Sequence, residues 1–350
     1  MFNQGFKPEL VLAAAKDVIA RSAGQHVRDP HPVSTQLSVA DVALACGLQA
    51  RPNGSALDQR VSIMGLGIHT GTFQRLVSDA LRIVVSRTYV AQAQHLIFAQ
   101  EVLIKKLGEP VPVLGGVDSA VELLPVGELG VIERFHAAGA FPGLPEAQLA
   151  RFGRIVEVTR RAVVNDDLRE VANAMSGLGA GAGRKEAQLV CEAFESNPTM
   201  DDGTAFFDAT RNNIEVEALD ATTLGSALAK LRKQTLPNGE RSDLAGRFLV
   251  VCAELELKAK QEVTDAGSDL QVIPMAHLPA ARWYLLADPL IQPTIGVLRM
   301  PGVKDPTRVD PEPKSARFCV DGTGVRVLAD LGASLLSPVG IVRGGTVAEE

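Results

Sequence analysis

Three motifs contain residue types that bind phosphate groups or cations in other proteins. Residues 177–183 alternate glycine with other residues, but a dinucleotide fingerprint must follow a strand and open a helix, whereas these glycines lie inside a predicted helix. Gly65 and Gly67 are not followed by the lysine that a Walker-type loop requires. Residues 201–203, Asp-Asp-Gly, lack the alternating oxygen ligands and the closing glutamate of a calcium loop. These motifs favour turns and helix packing over nucleotide or calcium binding.

The histidines and cysteines are scattered, and they form no H-E-x-x-H motif and no C-x-x-C pair. The six histidines are His26, His31, His69, His95, His136 and His277. The four cysteines, expected to be reduced thiols, are Cys46, Cys191, Cys252 and Cys319. The sequence also lacks a G-x-S-x-G nucleophile elbow. We therefore predict no catalytic residue, no metal and no cofactor.

The composition favours a folded protein without a basic surface for nucleic acid. Hydrophobic residues make up 46% of the 350 residues, charged residues 22%, and the net charge is -6. A protein of this composition can enclose DNA without binding it tightly. The first residues lack a signal-peptide pattern, and no stretch approaches the roughly 20 apolar residues of a membrane span. We expect a soluble, intracellular protein with no membrane partner.

Helical periodicity is seen at three places in the first third of the chain, at residues 8–22, 39–46 and 72–97. Gly24 and Gly47 are the predicted ends of the first two helices. Residues 24–36 are rich in turn formers and predict a linker, and residues 108–149 contain many glycines and prolines, which predicts extended loops.

The middle of the chain predicts a strand followed by an unusually long helix. Residues 152–164 are β-branched and partly alternating, and a strand there would present Arg154, Glu157 and Arg160 on a polar face. Residues 165–167 (Asn-Asp-Asp) are good helix N-caps, and the apolar stripe after them continues to about Phe194, a length of about 40 Å. Because glycine weakens helices, residues 177–183 predict a bend or close packing.

The remainder predicts mixed α and β structure. Helices are expected at residues 222–234 and 253–263, a buried strand at residues 248–252 and a further strand at residues 283–287. The glycines of residues 321–324 predict a hairpin turn between two short strands. The fold class is therefore α+β.

Three stretches together resemble signatures of the Mu-like major head subunits of tailed bacteriophages. They are FGRIVEVTRRAVVNDDL at residues 152–168, NPTMDDGTAFF at residues 197–207 and WYLLADP at residues 283–289. The resemblance covers about residues 72–343, and the family includes chains in which a prohead protease is fused ahead of the capsid domain. Residues before about 70 match no capsid core and lack a protease serine and histidine pair.

This resemblance implies the Hong Kong 97-type capsid fold, with an N-terminal arm, an E-loop, a spine helix, a peripheral domain and an axial domain. The expected divisions are an N-terminal arm or extension, partly helical, at 1–71, a lead-in to the peripheral domain at 72–120, the E-loop at 121–164, the peripheral domain with its spine helix at 165–234, the axial domain at 235–317, and a return to the peripheral domain with the C-terminal tail at 318–350.

The implied function is that of a major capsid protein, which assembles with itself into pentamers and hexamers of an icosahedral shell around double-stranded DNA. Expected partners are portal, scaffold or protease and cement proteins, and the expected location is the virion, after assembly in the host bacterial cytoplasm. No lysine and asparagine pair marks a covalent crosslink. The inter-subunit contact candidates are Glu122, Glu128, Glu133, Arg134, Arg154, Glu157, Arg160 and Arg161.

Two alternatives stay open at this stage. An encapsulin-like nanocompartment would share the fold and the self-assembly but enclose enzyme cargo. A soluble α/β enzyme with an unrecognised site would form a small oligomer and have a compact pocket instead of long loops.

Overall fold

The computed structural model describes residues 7–50, 68, 70–108, 110–111, 147–236, 239–303, 305–311 and 322–345. The α-helices are α1 Pro8–Ala13, α2 Ala15–Ser22, α3 Val39–Ala50, α4 Gly71–Gln92, α5 Arg160–Val164, α6 Arg169–Glu195, α7 Ala221–Lys233 and α8 Glu256–Asp265. Short 3-10 turns cover Ser34–Gln36, Gln94–Ile97, Ala209–Arg211 and Ala253–Leu255. The strands are β1 Gln100–Leu103, β2 Pro110–Val111, β3 Ala147–Gln148, β4 Ala150–Thr159, β5 Ile214–Glu215, β6 Gly246–Cys252, β7 Gln271–Met275, β8 Trp283–Ala287, β9 Ile295–Arg299, β10 Thr307–Pro311, β11 Gly322–Leu331, β12 Ala333–Leu335 and β13 Ile341–Gly344.

The chain divides into two compact units. Unit 1 comprises Met1–Gln92, Arg151–Arg184 and Lys304–Asp330, and unit 2 comprises Ala93–Ala150, Lys185–Val303 and Leu331–Glu350. These units cross the predicted domain boundaries because strands distant in sequence pair with each other. For example, β13, which was placed with the peripheral domain, pairs antiparallel with β8, which was placed in the axial domain. The names peripheral and axial domain stay predictions.

Unit 1 packs helices around a three-stranded sheet with the order β10-β11-β4. Its buried core includes Val11, Val18, Ile19, Val42, Leu44, Phe73, Leu81, Val158, Leu168, Met175 and Val327. Helices α1 to α3 of the predicted N-terminal arm contribute to this core, because their apolar stripes need a partner to leave water. Asp166 ties the arm to the long helix, since its Oδ1 accepts a hydrogen bond from the Val39 N–H at 2.9 Å.

Glycines in α6 allow that helix to pack closely on α4 within unit 1. A Cβ atom at Gly179 would overlap the carbonyl oxygen of Val85 and the hydroxyl of Thr88. At Gly183 it would lie 2.9 Å from Gln92 Cβ and 3.1 Å from the Tyr89 carbonyl oxygen. The prediction of close packing at residues 177–183 is confirmed, and α6 is one unbroken helix through them.

Unit 2 contains a five-stranded sheet with the order β5-β13-β8-β6-β7. Every residue of β8 is buried, which explains its continuous apolar sequence. The helices α7 and α8 pack on this sheet, and α7 begins at a capping box in which Asp220 and Thr223 satisfy each other's backbone N–H groups. A second sheet has the order β1-β9-β12.

The turn after α6 uses the second signature stretch to close the helix. Asn197 accepts a hydrogen bond from the Phe207 N–H through Oδ1 at 2.7 Å, and the intervening residues fold back on themselves. Phe206 and Phe207 are buried in the core of unit 2. These aromatic residues therefore anchor the end of the long helix.

Three predicted boundaries are wrong. The strand predicted at residues 152–164 ends at Thr159, because Thr159 caps a new helix by accepting a hydrogen bond from the Ala162 N–H. Helix α3 continues through Gly47 to Ala50, since glycine lowers helix propensity without forbidding a buried helix. Gly322 and Gly324 of the turn predicted at residues 321–324 lie inside β11, which begins at Gly322 and pairs with β10, while Asp321 lies outside the described residues. The predicted mixed α and β class is confirmed.

Candidate functional site

The eight predicted contact residues divide into two groups. Glu122, Glu128, Glu133 and Arg134 lie outside the described residues. Arg154 and Glu157 lie on β4, while Arg160 and Arg161 form the first turn of α5. The second group belongs to unit 1, so the structure places these four side chains along one continuous segment.

Strand β4 lies at one edge of its sheet, beside β11. Most of its ten residues are exposed or half-buried, and Val158 is its buried residue. Ile155 is an exposed apolar side chain on this strand. An edge strand with exposed side chains can accept another chain, either by strand pairing or by side-chain contact.

The predicted polar face of this segment is wrong in detail. Side chains alternate along a strand, so Arg154 and Glu157, three positions apart, point to opposite faces of the sheet. Arg160 lies beyond the end of the strand and is half-buried, whereas Arg161 is exposed. The arginines and the glutamate therefore do not form one row.

The start of β4 is fastened to the end of β11 by an ion pair. Arg151 Nε lies 2.7 Å from Asp330 Oδ1, and Arg151 Nη2 lies 2.9 Å from Asp330 Oδ2. This hydrogen bonding to the Asp330 carboxylate raises the pKa of the Arg151 guanidinium. The two residues are 179 positions apart, so no local pattern could have predicted the pair.

We call the exposed side chains of this segment, which lie on both faces of the edge strand and on α5, the β4–α5 surface. It comprises Arg151, Arg154, Ile155, Glu157, Arg161 and Val164. Its mixture of apolar and mainly cationic groups suits a contact with an acidic segment of another protein molecule, because arginine pairs well with carboxylates. Chemistry on a bound substrate would instead need a recess with convergent polar groups.

A second group of polar and charged side chains, in unit 2, is buried and has a structural role. Glu186 accepts hydrogen bonds from Arg299 at both carboxylate oxygens, and its Oε2 lies 2.9 Å from His95 Nε2. Both Glu186 and His95 have fully buried side chains, and Arg299 is 2% exposed. His95 is thus a core histidine with a polar partner.

The pKa of Glu186 shows that pairing outweighs burial. Burial acts to raise the pKa of this carboxyl, but the hydrogen bonds and charges of His95 and Arg299 lower it from 4.5 to about 2. The carboxylate therefore stays ionised in the interior, where its partners compensate the loss of water. No local sequence pattern reveals this network, because its members lie on three elements that are distant in sequence.

In the part of the chain that the structure describes, the remaining candidate motifs do not bring side chains together as a cofactor site would require. In residues 201–203, Asp202 accepts a hydrogen bond from the Thr204 N–H and pairs with Arg211, which makes a closed turn. No group of three or more metal-ligating side chains occurs among the described residues.

Cys46, Cys191 and Cys252 are buried free thiols. No described helix is long and apolar enough to cross a membrane. Gly65, Gly67 and His69 lie outside the described residues.

Comparison with protein families gives one match, to a family described as phage capsid protein. The matched region is residues 144–344, which is more than half of the chain. This region begins just before β3 and ends with β13, so it contains the β4–α5 surface and the whole five-stranded sheet of unit 2, whereas β1 of the second sheet lies outside it. No curated protein is significantly similar in sequence.

Several solved structures are similar to the chain at low identity. The capsid of cyanophage P-SCSP1u is 11% identical, covers 73% of this chain and 89% of its own, and has a TM-score of 0.45. The procapsid of bacteriophage JBD30 is 16% identical, with coverage of 78% and 76% and a TM-score of 0.42. The SrpI encapsulin of Synechococcus elongatus PCC 7942 is 10% identical, with coverage of 76% and 92% and a TM-score of 0.46.

Proposed function

Because this chain belongs to the phage capsid protein family and is a major capsid protein, we propose that its copies assemble into pentamers and hexamers of an icosahedral shell. The shell of a tailed bacteriophage or prophage would enclose double-stranded DNA. The family match over residues 144–344 is the observation that carries this proposal. The net charge of -6 is consistent with a shell wall that surrounds DNA without binding it sequence-specifically.

In the Hong Kong 97-type capsid fold, which mixes helices and sheets, each part of this chain would have a role in the proposed shell. Helix α6, with 27 residues, would be the spine helix. Residues 121–164, which include β4 and α5, would form the E-loop. The sheet of unit 2, which includes β13, would form the domain at the capsomer centre. The three signature stretches support a Mu-like head subunit, related to chains that carry a prohead protease.

The β4–α5 surface would contact the E-loop of a neighbouring subunit. Three of the four loop candidates are acidic, namely Glu122, Glu128 and Glu133, whereas Arg154 and Arg161 are exposed cations on the described segment. An acidic loop on a basic strand edge fixes the register of two subunits, although each exposed pair contributes only about 0–1 kcal/mol. Repetition over many copies makes the sum large.

A charge-reversal experiment tests this contact. We expect Arg154→Glu combined with Arg161→Glu to prevent assembly while leaving the subunit folded. Glu122, Glu128 and Glu133 all changed to Lys in the same chain should restore shells. Restoration that occurs equally well with three lysines placed on α8 would argue against the pairing.

Electron microscopy and sedimentation of the purified protein test the function itself. The protein should be expressed alone and together with its neighbouring phage genes, which supply portal, scaffold, protease and cement partners in the host cytoplasm. Hollow shells or rings of five and six subunits support the proposal. A compact monomer or dimer under every condition contradicts it, and shells purified with an enzyme cargo instead of DNA would indicate a nanocompartment.

A further inference from the structure

The turn between β8 and β9 in unit 2 exposes two adjacent large apolar side chains. Leu290 is 93% exposed and Ile291 is 63% exposed. Leu290 is the most exposed large hydrophobic residue among those that the structure describes. Single exposed apolar residues are common on protein surfaces, but an adjacent pair beside an apolar groove marks an interaction site.

This turn is held in one conformation by its own hydrogen bonds. The Leu290 N–H donates to Asp288 Oδ1 at 2.9 Å, and the Ile291 and Gln292 N–H groups donate to the Asp288 carbonyl oxygen at 3.0 and 2.9 Å. Gln292 is fully buried and donates to the Ser337 hydroxyl at 2.9 Å. Pro289 and Pro293 further restrict the backbone. The apolar side chains are therefore presented without a mobile loop to order on binding.

A groove of about 650 Å³ lies beside the turn, also within unit 2. Its apolar lining includes Leu96, Ile97, Ala99 and Phe248, and Leu290 and Ile291 of the turn line it as well. Ile97 is 48% exposed, so the apolar surface of the turn continues into the groove. A projecting leucine and an apolar recess are thus neighbours on the same surface.

The groove also carries one charge of each sign. Arg247 is exposed and lies at the register shift between β6 and β8, which displaces it from the regular pairing. Asp288 lies at the base of the turn and lines the groove as well. A patch with a projecting leucine, an apolar recess, a cation and an anion is complementary to a second copy of itself related by a two-fold axis.

We propose that Leu290 of one subunit inserts into the groove beside Ile97 and Phe248 of a second copy of this chain. This inference rests on the proposed capsid function, since only an assembling chain repeats such a contact. The projecting leucine and the groove belong to one patch, so the contact is isologous: two subunits face each other across a two-fold axis, and Leu290 of each enters the groove of the other. Arg247 and Asp288 of adjacent subunits would pair at its rim.

Substitution of the projecting leucine tests the contact, with a matched control on the same unit. We expect Leu290→Asp to raise the protein concentration needed for assembly at least tenfold, whereas Leu257→Asp, at a 71% exposed position on α8, leaves it unchanged. Circular dichroism and thermal unfolding of both variants should match the unsubstituted protein. Equal assembly of Leu290→Asp and the unsubstituted protein would overturn the inference and leave the capsid function standing.

A photo-crosslinking amino acid at position 290 identifies the occupant of the groove. In assembled particles, mass spectrometry should find crosslinks from position 290 to residues 96–100 or 247–248 of another copy. Crosslinks to a different phage protein, or to other regions of this chain, would overturn the proposal. If the unsubstituted protein forms no assemblies at all, the proposed function fails and this contact fails with it.

Discussion

Glu186 and Arg299, which are 113 residues apart, form a two-point ion pair in the interior of unit 2. Neither side chain is more than 2% exposed, and His95 completes the network from the other side of the carboxylate. A buried ion pair stabilises a fold little compared with an apolar core, but losing one partner leaves the other charge without water or compensation. The network therefore makes the region around β9 sensitive to single substitutions and to acid.

Removing the carboxylate should destabilise unit 2 strongly. We expect Glu186→Ala to lower the free energy of unfolding by about 3–5 kcal/mol, because Arg299 and His95 would remain buried without their anion. Urea unfolding followed by Trp283 fluorescence measures this loss in dissociated subunits. Glu192→Ala, at an exposed position on the same helix, is the control and should change stability by less than about 0.5 kcal/mol.

Acid should weaken the same network in a defined pH range. The folded-state pKa of Glu186 is about 2, below its ordinary value of 4.5, so the unfolded state binds the proton more readily. The stabilisation is therefore complete above about pH 4.5 and is lost as the pH falls toward 2. In Glu186→Gln, the stability should depend less steeply on pH across this range than in the unsubstituted protein. Identical pH profiles for the two proteins would contradict the assignment.

The close packing of α6 on α4 predicts opposite effects for two neighbouring glycines. Gly179→Ala should lower the free energy of unfolding by about 1–3 kcal/mol, because its Cβ would overlap the backbone of Val85. Gly177→Ala meets no atom within 4 Å and should stabilise the helix by up to about 1 kcal/mol. Thermal unfolding of the two variants measures both effects, and stabilisation by both substitutions would show that helix propensity alone matters here.

The Arg151–Asp330 pair should couple β4 to β11 measurably. A double-mutant cycle with Arg151→Ala and Asp330→Asn should give a coupling energy of about 0.5–1 kcal/mol, since the pair is bidentate but Arg151 is 43% exposed. The coupling should fall as salt is added. A parallel cycle with Arg154→Ala in place of Arg151→Ala should show no coupling, and comparable values in both cycles would contradict the pair's role.

Local sequence patterns were sufficient to predict most helices and strands of the described residues. The apolar repeat after Asn165 predicted the long helix, which the structure begins at Arg169 and ends at Glu195. The apolar run at Trp283–Ala287 predicted a strand with the observed bounds. Helix caps and turns depend on residues a few positions apart, which explains why the ends of α2 and α7 were predicted closely.

Only the tertiary structure decided which segments, distant in sequence, contact each other. The sequence determined that this protein is an α+β chain of the capsid type, because its signature stretches and periodicities are local properties. The Glu186 network, the Arg151–Asp330 pair and the seating of Gly179 on Val85 join segments that are about 90 to 180 residues apart. Their energies arise from burial and distance, which exist only after packing has brought the segments together. For the same reason, the exposure of Leu290 beside an apolar groove became visible only in the folded unit.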